Sequence, residues 1–256
     1  MAQAGICSRR QAEEKILQGL VSVNGQIVNT LGTQVDETKD EVRYNGRLIA
    51  AEKKRYFLFY KPTGVLSSVS DSFGRPTVTD WFTQFDERLY PVGRLDANTS
   101  GLLLMSNDGD FVNQMIHPRY KIEKTYEALV RGRANEETVR QLRGGILIDG
   151  EKMKADEVRL IRHLQEETVL DITIHQGKKR QVRLMCAAVG HPVVALVRTK
   201  FAFLTLENLK PGEFRPLTPQ EVETLRRWAQ QAEIPDKSNR KRMENPSKQS
   251  FNPGKK

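Results

Sequence analysis

Apolar and polar positions divide this chain into short alternating runs, amphipathic segments of helical period and clusters of turn-forming residues. Ser8-Arg-Arg-Gln11 reads as a capping box, and behind it Ala12, Ile16 and Leu20 recur on one helical face, with Gly19 near the end. Two alternating runs follow at 21–28 and 41–49, each broken by Asn-Gly (Asn24-Gly25, Asn45-Gly46), the strongest short signal for a hairpin. A helix and a small twisted sheet therefore make a compact first module over 1–49, and the polar residues 50–54 form a linker. Residues 56–60 are a buried-strand pattern ending at the turn Lys61-Pro62-Thr-Gly64, and 79–82 open a short helix.

Further along, Asp108 is placed to cap a helix over 110–116, with Phe111, Val112, Met115 and Ile116 on one face and Pro118 stopping it. Residues 124–130, 158–161 and 169–174 alternate as strands. Residues 136–143 and 181–189 follow a helical period, the latter with Val182, Met185, Cys186 and Val189 inward. A last helix begins at Thr218-Pro-Gln-Glu221 and runs through Trp228. Strands and helices interleave without a β-α-β rhythm, which predicts an α+β chain: a mixed, largely antiparallel central sheet flanked by helices, occupying 55–232. Residues 235–256 are rich in Lys, Arg, Asn, Ser and Pro and nearly devoid of large apolar side chains, so a basic, disordered tail is expected there.

The centre of this pattern is residues 90–110. An extended run leads to Leu95, turn formers occupy 96–101, and a second apolar run, 102–105, ends at Asn107-Asp-Gly. Asp96 is thus expected where a sheet meets its loops. If the pleat persists to Asp96, Arg94 shares its face, and the cation would orient or ionise the carboxylate. The plain alternative is an Asx turn, in which the Asp96 side chain only accepts backbone N–H groups.

Charge sharpens the picture. The formal charge is +9, and residues 236–256 hold seven Lys/Arg against two Asp/Glu, so that segment supplies +5 of it. Nucleic acid is the commonest acidic partner of such a chain. Residues 1–50 carry six charges of each sign, so an RNA face there would depend on clustering; Arg9 and Arg10, in a helix's first turn against its dipole, would be relieved by a phosphate. Four cations within 178–183, Lys178, Lys179, Arg180 and Arg183, fall around another predicted helix start and read either as a solvated face or as phosphate contacts, with Arg183 beside the core candidate Val182.

Other chemistries find little support. The four histidines have no metal-binding spacing, Cys7 and Cys186 are far apart, and no phosphate-binding loop or G-x-S-x-G elbow occurs. No cofactor or metal is expected. No stretch approaches the roughly 20 apolar residues of a membrane helix, so a soluble, cytoplasmic, reduced protein, monomeric and away from membranes, is the expectation. A glycoside hydrolase would want two converging carboxylates; only Asp96 is placed for chemistry, with Asp108 and Asp110 left open.

Several ordered motifs then carry a resemblance. Gly93-Arg94-Leu95-Asp96, Thr99-Ser-Gly-Leu-Leu103, Asn107-Asp-Gly-Asp110, Lys124-Thr-Tyr126, Arg180-Gln-Val-Arg183 and Gly190-His-Pro192 resemble, in order and spacing, the pseudouridine synthases of ribosomal RNA, and within them the large-subunit branch. Residues 1–49 are similar to the alpha-L RNA-binding module that precedes the catalytic domain there. The chain opens at Met-Ala-Gln-Ala-Gly, short of that module's usual basic start, and Lys178-Lys179 and Leu184 replace residues common in the branch. The resemblance implies isomerisation of uridine in ribosomal RNA or a ribosomal-subunit precursor. It implies Asp96 as the essential carboxylate at the ribose, attacking C1′ or removing the C2′ proton, and Tyr126 against the uracil, helping to remove the C5 proton. Arg183 would be an ion partner of Asp96, and Leu196 would pack beneath the base. Lys61, Arg94, Lys178, Lys179 and Arg180 join Arg9 and Arg10 as expected RNA contacts. A non-catalytic RNA-binding or ribosome-assembly factor on the same scaffold is the competing reading.

Overall fold

A computed structural model describes residues 1–36 and 39–231; the basic segment expected to be disordered lies outside the described residues. The first helix, α1 (Arg9–Leu17), begins with the expected reciprocal cap: Ser8 Oγ accepts from the Gln11 N–H at 3.3 Å, and Gln11 Oε1 accepts from the Ser8 N–H at 3.0 Å. Strands β1 (Val21–Val23), β2 (Gln26–Val28), β3 (Val42–Tyr44) and β4 (Arg47–Leu48) form a four-stranded antiparallel sheet in the order β2-β1-β3-β4. Both Asn-Gly pairs turn its hairpins with positive φ at each residue, 51° and 81° at Asn24-Gly25 and 49° and 77° at Asn45-Gly46, the geometry that matches the twist of the strands they join.

The larger sheet is assembled from segments distant in sequence. It uses β5 (Tyr56–Lys61), β6 (Tyr90–Val92), β7 (Ser100–Ser106) and, beyond α2 (Gly109–Ile116), β8 (Lys124–Arg131). After α3 (Glu136–Gly144), a two-stranded hairpin of β9 (Ile146–Ile148) and β10 (Glu151–Met153) stands apart. Then come β11 (Glu157–His163), β12 (Glu167–Ile174), α4 (Gln181–Ala188), β13 (Val193–Phe201), β14 (Leu204–Thr205), β15 (Phe214–Pro216) and α5 (Pro219–Gln231). The order β11-β12-β8-β13-β7-β5-β15, with β14 on β13 and β6 on β7, is antiparallel throughout except at β13–β7. The fold is therefore the mixed, largely antiparallel α+β architecture that the pattern predicts.

The parallel contact joins two halves, each with its own core. One packs α4 and α3 on the β8–β12 side, through Leu142, Met185, Cys186 and Leu170. The other packs α2 and α5 on β5 and β7, through Phe111, Met115, Leu225 and Leu104. At the junction Gly101, with φ +111°, lies against Arg198. A Cβ on it would meet the Arg198 carbonyl oxygen at 2.3 Å and its nitrogen at 2.5 Å, so only glycine lets the two backbones pair there.

The structure departs from the sequence pattern at several elements, the short strands β14 and β15 among them. Strand β6 stops at Val92, because Gly93 turns with φ +77°; Arg94 and Asp96 therefore lie in a loop, and no shared strand face relates them. Residues 193–201, unassigned by pattern, form the nine-residue strand at the junction. The β9–β10 hairpin, turned by Asp149-Gly150 with φ 50° and 78°, was equally unassigned, although Asp-Gly is a hairpin signal.

Candidate active site

The loop that carries Asp96 is held at nearly every residue. Ser67 Oγ donates to the Leu95 carbonyl at 2.9 Å and accepts from the Leu95 N–H at 3.1 Å. The Thr99 N–H closes a turn on the Asp96 carbonyl at 3.0 Å, and the Gly64 N–H donates to the Ala97 carbonyl at 2.7 Å. Beneath it, Lys61 is fully buried at the end of β5, its Nζ donating to the carbonyls of Pro62 at 2.8 Å, Thr99 at 2.9 Å and Ala97 at 3.4 Å. Burial lowers the Lys61 pKa to about 8; the negative Asp96 nearby opposes that fall and Arg198 adds to it. Lys61 was expected as an RNA contact, but it lies under the loop with its donors occupied by carbonyls, where no phosphate reaches it.

Arg183 approaches the same loop from α4. It is 8% exposed; Nη2 donates to the Asn98 carbonyl at 2.8 Å and to Thr99 Oγ1 at 3.3 Å, while Nη1 reaches the Val193 carbonyl at 3.4 Å. The expected direct pair with Asp96 is not formed: the fork ties the loop to the start of β13, and Asp96 acts on it only through its field. Burial first, then Arg180, lowers the Arg183 pKa, and Asp96 opposes both. Among the described residues, no hydrogen bond or ion pair engages the half-buried Asp96 carboxylate. The Asx-turn alternative requires such bonds, so what holds the loop is the backbone and the neighbouring side chains, and the carboxylate is left available.

Asp96 opens into a cleft of about 610 Å³ whose lining includes Arg94, Lys124, Tyr126, Leu196 and Arg198. Asp96 and Tyr126 come from the loop before β7 and from the start of β8, and the Tyr126 hydroxyl also has no protein partner among the described residues. Leu196, 6% exposed, supplies part of the apolar wall. Arg94, Lys179 and Arg180 are exposed along the rim; Lys178 lines it too but is ion-paired to Glu151 at 2.8 Å. Lys178, Lys179 and Arg180 stand just before α4, with Arg180 at the N-cap in left-handed conformation, φ 55°. Arg9 and Arg10 are exposed at the start of α1, in the small sheet's module and not among the cleft residues.

Two cleft cations were missing from the sequence-derived site. Lys124 is mostly buried, donates to the His175 carbonyl at 3.1 Å, and has its pKa pulled to about 8, by burial first and by Arg198 next. Arg198, 3% exposed, donates from Nε to the Leu102 carbonyl at 2.6 Å, and its Nη2 is buried without a partner. Leu196, Arg198 and Phe201 are the buried positions of β13, but the apolar run 193–197 and the register shifts along the strand leave no local alternation that would single Arg198 out. Among the described residues, Asp96 is the one carboxylate in the cleft lining. Asp108 is 2% exposed and fully committed, capping α2 through the Phe111 N–H and pairing with Tyr56 at 2.7 Å and Arg226 at 2.6 Å; Asp110 is exposed on α2 outside the cleft. Among the described residues no three His, Cys, Asp or Glu side chains cluster to hold a metal, and no helix is long and apolar enough to cross a membrane.

One fixed but unengaged carboxylate, a phenol across an apolar-floored cleft and a cationic rim can take a flat polar ring attached to a sugar phosphate, with chemistry at the sugar. Comparison with known proteins gives this arrangement a context. Residues 55–188 match the family model described as RNA pseudouridylate synthase, and residues 1–48 match the S4 domain. The chain is 45% identical over 231 residues to ribosomal large subunit pseudouridine synthase B of Bacillus subtilis, covering 90% of this chain and 94% of that protein. It is 39% identical over 226 residues to an uncharacterised RNA pseudouridine synthase of Aquifex aeolicus, covering 88% and 91%. A crystal structure of a pseudouridylate synthase superposes with a TM-score of 0.61 at 33% identity, covering 88% of this chain and 96% of that one.

Proposed function

The chain belongs to the RNA pseudouridylate synthase family, and from that premise we propose that it isomerises a uridine of large-subunit ribosomal RNA to pseudouridine, as a cytoplasmic monomer whose first module, 1–49, helps hold the RNA. The observation that carries this reading is the Asp96 carboxylate, half-buried, bonded to no side chain or backbone group among the described residues, and presented by a loop fastened on both sides of it. A uridine stacked in RNA hides its glycosidic bond. The target nucleotide therefore swings out into the cleft, an unstacking of a few kcal/mol that contacts between the rim cations and the phosphates offset.

Asp96 then acts at the ribose, by attack on C1′ or by removal of the C2′ proton, and the bond from C1′ to N1 breaks. The detached uracil turns over the Leu196 floor and rejoins C1′ through C5. In the first route this displaces the Asp96 oxygen from C1′; in the second, Asp96 returns its proton to C2′. Tyr126 lies against the base and helps take the C5 proton, while N1 gains one; the atoms of substrate and product are the same. Arg183 and Lys61 are positioning residues: they hold the carbonyls around Asp96 and leave its oxygens to the substrate.

Release of tritium from C5-labelled uridine in unmodified large-subunit ribosomal RNA reports the reaction directly. Asp96→Asn keeps the shape but removes the reactive carboxylate. It is expected to abolish release while leaving RNA affinity within a few-fold. Appreciable release by that variant would remove Asp96 from the chemistry, and no release by the wild-type chain on any ribosomal RNA would overturn the proposed activity.

A further inference from the structure

Between β5 and the short helical turn at Val78–Trp81 a loop projects whose tip is Ser72-Phe73-Gly74-Arg75. Phe73 is 81% exposed, the most exposed large hydrophobic side chain among the described residues. A single exposed apolar residue is ordinary, but this one is held in place by a dedicated set of bonds. The Asp71 carboxylate accepts from the Phe73 N–H at 3.0 Å, the Arg75 N–H at 3.1 Å and Arg75 Nε at 3.1 Å, and pairs with Arg75 Nη2 at 2.6 Å. The Arg75 guanidinium in turn lies 5.3 Å from the centre of the Phe73 ring.

The Asp71 side chain is 9% exposed and the Arg75 side chain 56%, so the anion is covered and the tip offers an aromatic ring backed by a cation. Those bonds, led by the Arg75 side chain, hold the Asp71 pKa at about 2, so the brace is intact throughout the neutral range. None of this buries the ring, so the ordering of the loop serves presentation and not the core.

The loop's stem is bonded to the loop that carries Asp96. The Leu66 N–H donates to the Pro76 carbonyl and the Val78 N–H to the Leu66 carbonyl, both at 2.9 Å, closing the base of the loop. The next residue, Ser67, is the one that bonds both ways to Leu95, immediately before Asp96. Thr79 Oγ1 donates to the Val69 carbonyl at 3.0 Å and stiffens the arm between stem and tip.

We propose that the Phe73 ring, with the Arg75 guanidinium behind it, is a stacking platform for an unpaired base of the RNA whose uridine enters the cleft. The inference rests on the proposed RNA substrate. A ring with a guanidinium on one face keeps the other for a base, and the covered Asp71 leaves no exposed anion at the tip to repel the phosphates. Because stem and catalytic loop share the Ser67–Leu95 bonds, a base stacked at the tip sets the position of the strand relative to Asp96.

Stacking needs bases whereas phosphate contact does not, and adenine is not a substrate, so two non-reacting probes isolate the platform. Binding of a short oligoadenylate and of an abasic ribose-phosphate oligomer of equal length would be measured for wild type, Phe73→Ala and Phe73→Trp. Phe73→Ala is expected to weaken oligoadenylate binding about five- to a hundred-fold and abasic binding less than two-fold, with Phe73→Trp restoring wild-type affinity and all three melting together. Equal binding of oligoadenylate by Phe73→Ala and wild type, or an equal loss on both oligomers, overturns the proposal. So does a defect confined to binding of ribosomal particles, which would make the occupant a protein. Failure of tritium release by the wild-type chain would count against the proposed activity and leave this measurement standing.

Discussion

Arg183 shows how a residue can be singled out in a sequence and its partner misassigned. A buried guanidinium beside a carboxylate suggests a two-pronged ion pair. Here the fork is spent on the Asn98 carbonyl, the Thr99 hydroxyl and the Val193 carbonyl, so it fixes the loop that carries Asp96 and leaves the carboxylate open. A lysine supplies charge but cannot span loop and strand at once. Arg183→Lys is therefore expected to slow single-turnover isomerisation by about 10- to 100-fold, the scale of a misplaced catalytic group, with RNA affinity changed only a few-fold. Filter binding alongside single-turnover assays checks this; a normal rate with weakened binding would instead make Arg183 an RNA contact.

Among elements, the decisive contact is the parallel pairing of β7 with β13, which brings the Asp96 loop beside the strand that carries Leu196 and Arg198. Gly101 permits it through a backbone conformation that side chains resist and through the absence of a Cβ against Arg198. Gly101→Ala is expected to destabilise the fold by more than about 2 kcal/mol, within the range for a strained backbone position combined with overpacking. Equilibrium denaturation would record the loss, and an unchanged midpoint would mean that β7 and β13 separate without consequence. The Asn-Gly hairpins and the caps at Ser8 and Asp108 were legible because a few adjacent residues determine them. Strand β13 was not: its exposure follows the neighbours it acquires on both sides, β8 and β7, which no local pattern contains.

For the whole molecule, charge is divided unevenly, with +5 of the +9 in residues 236–256. Each cation that neutralises a phosphate releases counterions and steepens the fall of affinity with salt. Truncation after Pro235 is expected to weaken RNA binding mainly at low salt and to flatten the slope of log affinity against log salt, while turnover of bound RNA stays near wild type. An identical slope in the two proteins would show that this segment does not touch RNA.

The sequence by itself determined the α+β class, the hairpin module at the start, the motif order that led to Asp96, Tyr126 and Arg183, and the basic balance that points to RNA. These rest on local chemistry, periodicity and spacing, which survive without coordinates. Only the tertiary structure decided that Asp108 is occupied by Tyr56 and Arg226 and that Lys61 is buried under the loop with its donors taken up by carbonyls. It also decided that Arg183 grips carbonyls and that Arg198 and Lys124 stand in the cleft. The physical reason is common to all of them. Whether a charged side chain meets water, a carbonyl or another charge depends on segments tens of residues away, and burial, not residue type, sets what its charge can do.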